Sequence, residues 1–186
     1  MNSFHLEYCA SPEWRQVVEE TILPHALGRV ELGPNVLEIG PGPGLTTDVL
    51  MTRVEHLTAV EVDTDLAGAL AARLAGTNVD VVPGDAGALA FPDGHFSGAA
   101  SFHMLHHIGS DDDQDAIFSE LARVLRAGGS LVAADGIENE WTRAFHVDDI
   151  YNPIDPNRLG RRLAAAGFSA VEVGVYDLGW RCTARV

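Results

Sequence analysis

The stretch from residue 35 to residue 46, NVLEIGPGPGLT, constrains this chain more than any other part of it. An aliphatic run ends in three glycines spaced one residue apart, and a helical pattern follows. That order is a strand feeding a tight turn and then a helix, the place where α/β proteins hold nucleotide-like ligands. A glycine there allows backbone angles closed to other residues and lets a ligand approach the main chain.

The turn also speaks to the charge of its ligand. A pyrophosphate site wants G-x-G-x-x-G, but the glycines here are Gly40, Gly42 and Gly44, and Leu45 takes the position of the last one. Pro41 and Pro43 have no N–H, so the turn offers few donors to a polyanion. Glu38 lies two residues before the first glycine, where a carboxylate repels phosphate and suits an ammonium or sulfonium group. A nicotinamide-dependent oxidoreductase is disfavoured on these grounds. The expected ligand is cationic at its working end.

With several further motifs in order, the chain resembles the class I S-adenosylmethionine-dependent methyltransferases, particularly small type-11-like members. VLEIGPGPG (36–44) is similar to the family's first motif, LTAVEVD (57–63) to its second strand and GDA (84–86) to its adenine-contacting motif. FPDGHF (91–96) with MLHH (104–107) resembles the fourth-strand region, and LARVLRAGGSL (121–131) the approach to strand five. The resemblance runs over roughly residues 8–186 and departs at Ser97, where the family usually carries an acid.

The resemblance implies S-adenosylmethionine as cofactor, with Gly40, Gly42 and Gly44 forming the turn around it. Glu61 would accept the ribose hydroxyls, the alternative being a solvated strand end with Asp63 on the sugar. Asp85 would accept from the adenine amino group, or cap a short helix instead; Ala86 would offer its N–H to the ring. Glu38 would hold the methionyl ammonium directly or through water, or serve as a buried structural acid. Thr46 and Thr47 read as helix-start hydroxyls.

Alternating strand and helix patterns give the fold class α/β, a doubly wound, mostly parallel seven-stranded sheet, and the resemblance implies a Rossmann-like arrangement with an antiparallel C-terminal strand. Strands are expected at 36–40, 57–62, 78–82, 98–102, 130–134, 170–176 and 180–185. Helices are expected at 45–53, 65–75, 113–125 and 155–166, with Gly128 and Gly129 stopping the third. The 186 residues, 46% of them hydrophobic, suffice for one domain over 1–186, with an N-terminal helical segment over 1–28. Ser11 and Pro12 open a helix there that carries Trp14, Val17, Val18 and Ile22 on one face.

Charge and cysteines bound the setting. No apolar run is long enough to span a bilayer, and the polar N-terminus does not read as a signal peptide, so a cytoplasmic protein without membrane partners is expected. Cys9 and Cys182 show no metal or redox spacing and are expected to be free. A net charge of −15 argues against nucleic acid, since phosphate binding wants clustered basic residues, and a small-molecule methyl acceptor is the expected partner. The oligomeric state stays open.

Three histidines, His103, His106 and His107, follow strand four, where a methyl acceptor would lie. His106, His107 and His146 are the candidates for a general base, the alternative being packed, hydrogen-bonded rings. Their spacing fits no zinc motif, Asp111, Asp112 and Asp113 read as a helix cap, and no metal site is expected. Residues 136–154 hold Trp141, Phe145, His146 and Tyr151 and read either as a substrate lid or as a short helix over the sheet edge. Tyr8, Cys9 and Trp14 would close the other side. The expected activity is in-line methyl transfer to a small molecule, the alternative a non-catalytic module that binds the adenosyl compound.

Overall fold

The computed structural model describes residues 3–28 and 30–186; Met1 and Asn2 of the expected N-terminal segment lie outside the described residues. The chain begins with α1 (Ser3–Cys9), α2 (Pro12–Val17), a π-helical turn (Val18–Ile22) and α3 (Leu23–Leu27). Ser11 caps α2 by accepting from the Trp14 amide at 3.1 Å. Pro24 has no N–H to give the Glu20 carbonyl, which accounts for the wider turn just before it.

Seven strands follow: β1 (Asn35–Ile39), β2 (His56–Glu61), β3 (Val79–Pro83), β4 (Phe96–Phe102), β5 (Leu125–Asp135), β6 (Ser169–Tyr176) and β7 (Gly179–Arg185). Their spatial order is β3-β2-β1-β4-β5-β7-β6. Neighbours from β3 to β5 pair in parallel, and β7 runs antiparallel to both β5 and β6. The helices between them are α4 (Leu45–Leu50), α5 (Thr64–Arg73), α6 (Asp111–Val124), α7 (Glu140–Phe145) and α8 (Pro156–Ala165). This is the doubly wound sheet that the alternation implied, with the antiparallel C-terminal strand that the resemblance implied.

Strand residues divide between two cores. Leu37, Ile39, Ala99, Leu131 and Ala133 join the cluster that includes Ile117 and Phe118 of α6 and Leu159 and Leu163 of α8. Val36, Ala100, Val132 and Ala134 join the cluster that includes Ile22, Leu23 and Leu27. The period of two along each strand sends alternate side chains to opposite faces, so a sheet covered on both sides needs apolar residues nearly everywhere. The chain order turns back between β1 and β4. Open α/β sheets form their ligand crevice at that switch, beyond the carboxyl ends of the strands.

Element ends differ from expectation for local reasons. The helix expected over 45–53 ends at Leu50, and the Asn78 side-chain Nδ2 donates to the Met51 and Val54 carbonyls, both at 2.9 Å, taking up acceptors released there. The helix expected to end at residue 125 ends at Val124; Leu125 is extended and pairs with Phe96, so Gly128 and Gly129 lie within the strand. β4 begins two residues early, because Ser97 ties it to β1. The Ser97 hydroxyl accepts from the Asn35 amide at 2.9 Å and donates to the Asn35 carbonyl at 2.7 Å.

Removing that hydroxyl leaves a backbone pair short of partners at the start of the central strand. Ser97→Ala is expected to destabilise the fold by about 1–3 kcal/mol. Chemical denaturation checks this, and an unchanged unfolding free energy would contradict it.

Candidate functional site

The glycine turn is held by β2. Gly40 donates its amide to the Val60 carbonyl at 2.9 Å, and Gly42 donates to Glu61 Oε2 at 2.9 Å. The other Glu61 oxygen accepts from the Asp63 amide at 3.0 Å. One buried carboxylate therefore fastens the end of β1 to the end of β2. Gly42 sits at φ +53°, and a Cβ there would meet nothing within 4 Å, so the turn presents bare backbone to open space. Gly44 sits at φ +90° against Leu70 and Arg73, where a side chain would collide.

Glu38 lies behind this turn. Its carboxylate is buried and accepts from the hydroxyls of Thr46 and Thr47, the latter at 2.7 Å. Burial pushes its pKa up to about 7, against the two hydroxyls that favour the charged form. The threonines thus do more than start α4. Among the described residues, Thr46 lines the cavity in front of the turn and Glu38 does not.

That cavity, about 400 Å³, opens at the carboxyl ends of β1, β2 and β4. Gly40, Pro41, Gly42 and Pro43 form one wall, with Glu61, Val62 and Asp63 beside them and Gly84, Asp85 and Ala86 beyond. The opposite wall is largely apolar: Leu6, Cys9, Trp14, Val18 and Ile22 from the N-terminal helices, with Phe102 and Met104 from the end of β4. Burial raises the Cys9 thiol to about 11, which keeps it neutral. Asp85 Oδ1 accepts from the Gly87 amide at 2.8 Å, an Asx-type turn that leaves the second oxygen to other donors.

Most of the sequence candidates therefore border one space: Gly40, Gly42, Glu61, Asp85 and Ala86 line it, while Gly44 shapes it from behind. The histidines divide. His107 and His103 line the cavity, and His106 and His146 stand behind that wall. The His106 ring is buried with Nδ1 at 2.5 Å from Asp135 Oδ1, and its amide donates to Asp135 Oδ2 at 3.0 Å. His146 Nδ1 lies 2.6 Å from the Thr142 carbonyl. Burial lowers His103 to about 4, and burial together with His106 and His5 lowers His107 to about 3, so both are neutral at pH 7.

His103 stands out among them. It holds φ +52°, an uncommon value for a residue with a side chain, and its Nδ1 lies 3.9 Å from Asp135. Its position just past β4 was the available signal in the sequence. Leu6, by contrast, carries no local signal and reaches the cavity only through the packing of α1.

Residues 136–154 contain α7, opened by a reciprocal cap in which Asn139 and Thr142 each accept from the other's amide at 2.9 Å. No residue of this segment lines the cavity. Phe145 instead packs against Phe4, His5 and Tyr8, with ring centroids 4.7–5.3 Å apart, so the segment backs α1. Cys9 and Cys182 are both free thiols. No helix among the described residues is long and apolar enough to cross a membrane.

The family model described as "Methyltransferase domain" matches residues 37–133, just over half of the chain, which belongs to that family. Its fold is shared with solved S-adenosylmethionine-dependent methyltransferases. Among solved structures, a SAM-dependent methyltransferase from Archaeoglobus fulgidus superposes with a TM-score of 0.76 at 16% identity, covering 100% of both chains. The DhpI–SAM–HEP complex gives 0.74 at 20% identity, over 99% of this chain and 95% of that one. A curated relative, ribosomal RNA small subunit methyltransferase A of Deinococcus radiodurans, is 50% identical over 54 residues. That match covers 29% of this chain and only 18% of the relative.

This corrects one expectation. Net charge had argued against nucleic acid as a partner, yet curated relatives sharing a segment with this chain are ribosomal RNA methyltransferases. Net charge describes the average field around a protein and does not report what a local site admits.

The Glu38 carboxyl yields a pH prediction. Its folded pKa lies above the ordinary 4.5, so between about pH 4.5 and 7 the folded state holds a proton that the unfolded chain releases. Glu38 alone contributes a slope in which stability falls as pH rises through that window, by about 3 kcal/mol at most, set against the rising contributions of His103 and His107, whose pKa values are lowered. Glu38→Gln should remove this slope, as read from unfolding free energies at pH 4.5 and 7.5. An identical slope in the variant would contradict the assignment.

Proposed function

We propose that this protein transfers the methyl group of S-adenosylmethionine to a small-molecule acceptor held between the β1 turn and the N-terminal helices. The observation that carries the reading is Glu61 on the cavity wall: its carboxylate has about four lone-pair sites, of which two serve the Gly42 and Asp63 amides. The remaining two suit the paired hydroxyls of a ribose. Asp85 and Ala86 would hold the adenine edge, and Glu38 with Thr46 would favour a cationic amino group near the turn. The bare backbone at Gly42 supplies room for close approach.

Bound there, S-adenosylmethionine supplies a sulfonium methyl already activated for displacement. The protein's task is then to align the acceptor and exclude water. Trp14, Val18, Ile22, Phe102 and Met104 give the apolar wall that does so. Where the acceptor must lose a proton, His103 takes it as a neutral imidazole on the wall, and Asp135 at 3.9 Å favours the resulting cation. Of the three candidate bases expected from sequence, His106, His107 and His146, His107 alone borders the same space.

A second reading, transfer to RNA, draws support from the ribosomal RNA methyltransferases among the relatives. Methyl transfer from isotopically labelled S-adenosylmethionine, to a panel of phenols, amines and carboxylic acids and in parallel to small-subunit ribosomal RNA, separates the two. Label in small products supports the first reading. Label confined to RNA replaces it with the second.

Two variants test the assigned roles. Glu61→Gln should weaken S-adenosylmethionine binding by about 10–100-fold in calorimetry, the loss expected when charge-assisted hydrogen bonds become neutral ones. Unchanged affinity would remove Glu61 from the donor site. His103→Gln should lower kcat by about 10²–10⁴ on an acceptor that needs deprotonation while leaving donor affinity intact. An unaltered kcat would exclude His103 as the base.

A further inference from the structure

Behind the cavity wall, four histidine rings converge from three distant parts of the chain. His5 comes from α1, His106 and His107 from the single 3₁₀ turn after β4 (Leu105–His107), and His146 from the end of α7. One ring nitrogen from each lies within 4.8 Å of the other three. The ring centroids are 4.1–6.2 Å apart. Three of the four rings are buried and the fourth, His107, is half-buried.

The surroundings orient two of these rings, His106 and His146, in one manner. His106 Nδ1 faces Asp135 at 2.5 Å, His146 Nδ1 faces the Thr142 carbonyl at 2.6 Å, and His5 Nδ1 lies 3.4 Å from Asp149. An oxygen acceptor at Nδ1 fixes the proton there and leaves Nε2 as a lone pair, the arrangement that metal-bound histidines use. His106 Nε2, His146 Nε2 and both His107 nitrogens are buried without a hydrogen-bond partner. Asp135 and Asp149 bring two carboxylates to the second layer, enough to balance a dication.

We propose that His5, His106, His107 and His146 form a binding site for a divalent first-row transition ion, Zn²⁺ in the first instance. Four protein ligands with no open position make it a structural site. The ion latches α1 and the α7 segment onto the turn after β4, and so fixes the helix that supplies Leu6 and Cys9 to the cavity. Zn–N bonds of about 2.0–2.1 Å require ligand nitrogens roughly 3.3–3.4 Å apart. The most distant pair must therefore draw together by about 1.4 Å on binding, a shift within reach of α1 and α7. Sequence spacing concealed the site because its ligands lie on three separate segments, and only His106 and His107 are near each other in the chain.

The test uses tag-free full-length protein, freed of metal with a chelator and titrated with Co²⁺ as a spectroscopic probe, then with Zn²⁺. One Co²⁺ per chain, with visible absorption bands of tetrahedral intensity that Zn²⁺ abolishes, is the expected result. His5→Gln and His146→Gln should each weaken uptake at least tenfold, and Zn²⁺ should raise the Tm of the parent far more than that of either variant. Circular dichroism of both variants keeps misfolding distinguishable from ligand loss. No uptake by the parent, or equal uptake and equal Tm gain in well-folded variants, would overturn the site.

Discussion

Glu61 joins two strand ends through one carboxylate. It accepts from Gly42 at the turn after β1 and from Asp63 just past β2, and it is almost fully buried while still reaching the cavity. The glycine turn can hold its open shape only if those two amides are satisfied from this direction, since Pro41 and Pro43 contribute no donors of their own. The strand register follows suit: β1 and β2 pair in parallel from Asn35–His56 to Ile39–Val60, which delivers Glu61 next to the turn. The binding wall is thus a consequence of strand pairing as much as of motif.

Around this fastening, polarity is sorted by depth. Carboxylates that meet backbone amides or hydroxyls line or underlie the donor side, where Glu38, Glu61 and Asp85 sit. Across the cavity the N-terminal helices place apolar side chains, and the π-helical turn before Pro24 widens the helix where Val18 and Ile22 meet the space. Asp135, at the end of β5, is drawn well below the usual carboxylate range: burial alone would raise it, but His106, His103 and the Gly136 amide prevail. One charge therefore organises both histidines nearest to it, His103 toward the cavity and His106 away from it.

What could be read in the sequence was what is local. The glycine turn, Glu61, Asp85 and the alternation of strands each occupy a few consecutive residues whose physical requirements act within that stretch. The doubly wound, mostly parallel sheet followed from them. Leu6, the packing of α7 on α1 and the convergence of His5 with His146 were not readable, because each depends on contacts between segments more than a hundred residues apart. The start of β5 was misplaced for a related reason: Gly128 and Gly129 look like a helix stop, yet pairing of Leu125 with Phe96 recruits the residues before them into the sheet. Bulk charge misled in the opposite sense, turning a property of the whole surface into a statement about one partner.

The account rests on the donor's sugar being taken by a carboxylate that already holds the turn. A crystal structure of the protein soaked with S-adenosylhomocysteine tests that most directly. The account predicts both ribose hydroxyls within about 2.5–3.0 Å of the Glu61 oxygens, with the Gly42 and Asp63 amides still donating to the same group. A nucleoside bound elsewhere, or a ribose held by Asp63 with Glu61 touching only the two amides, would contradict it.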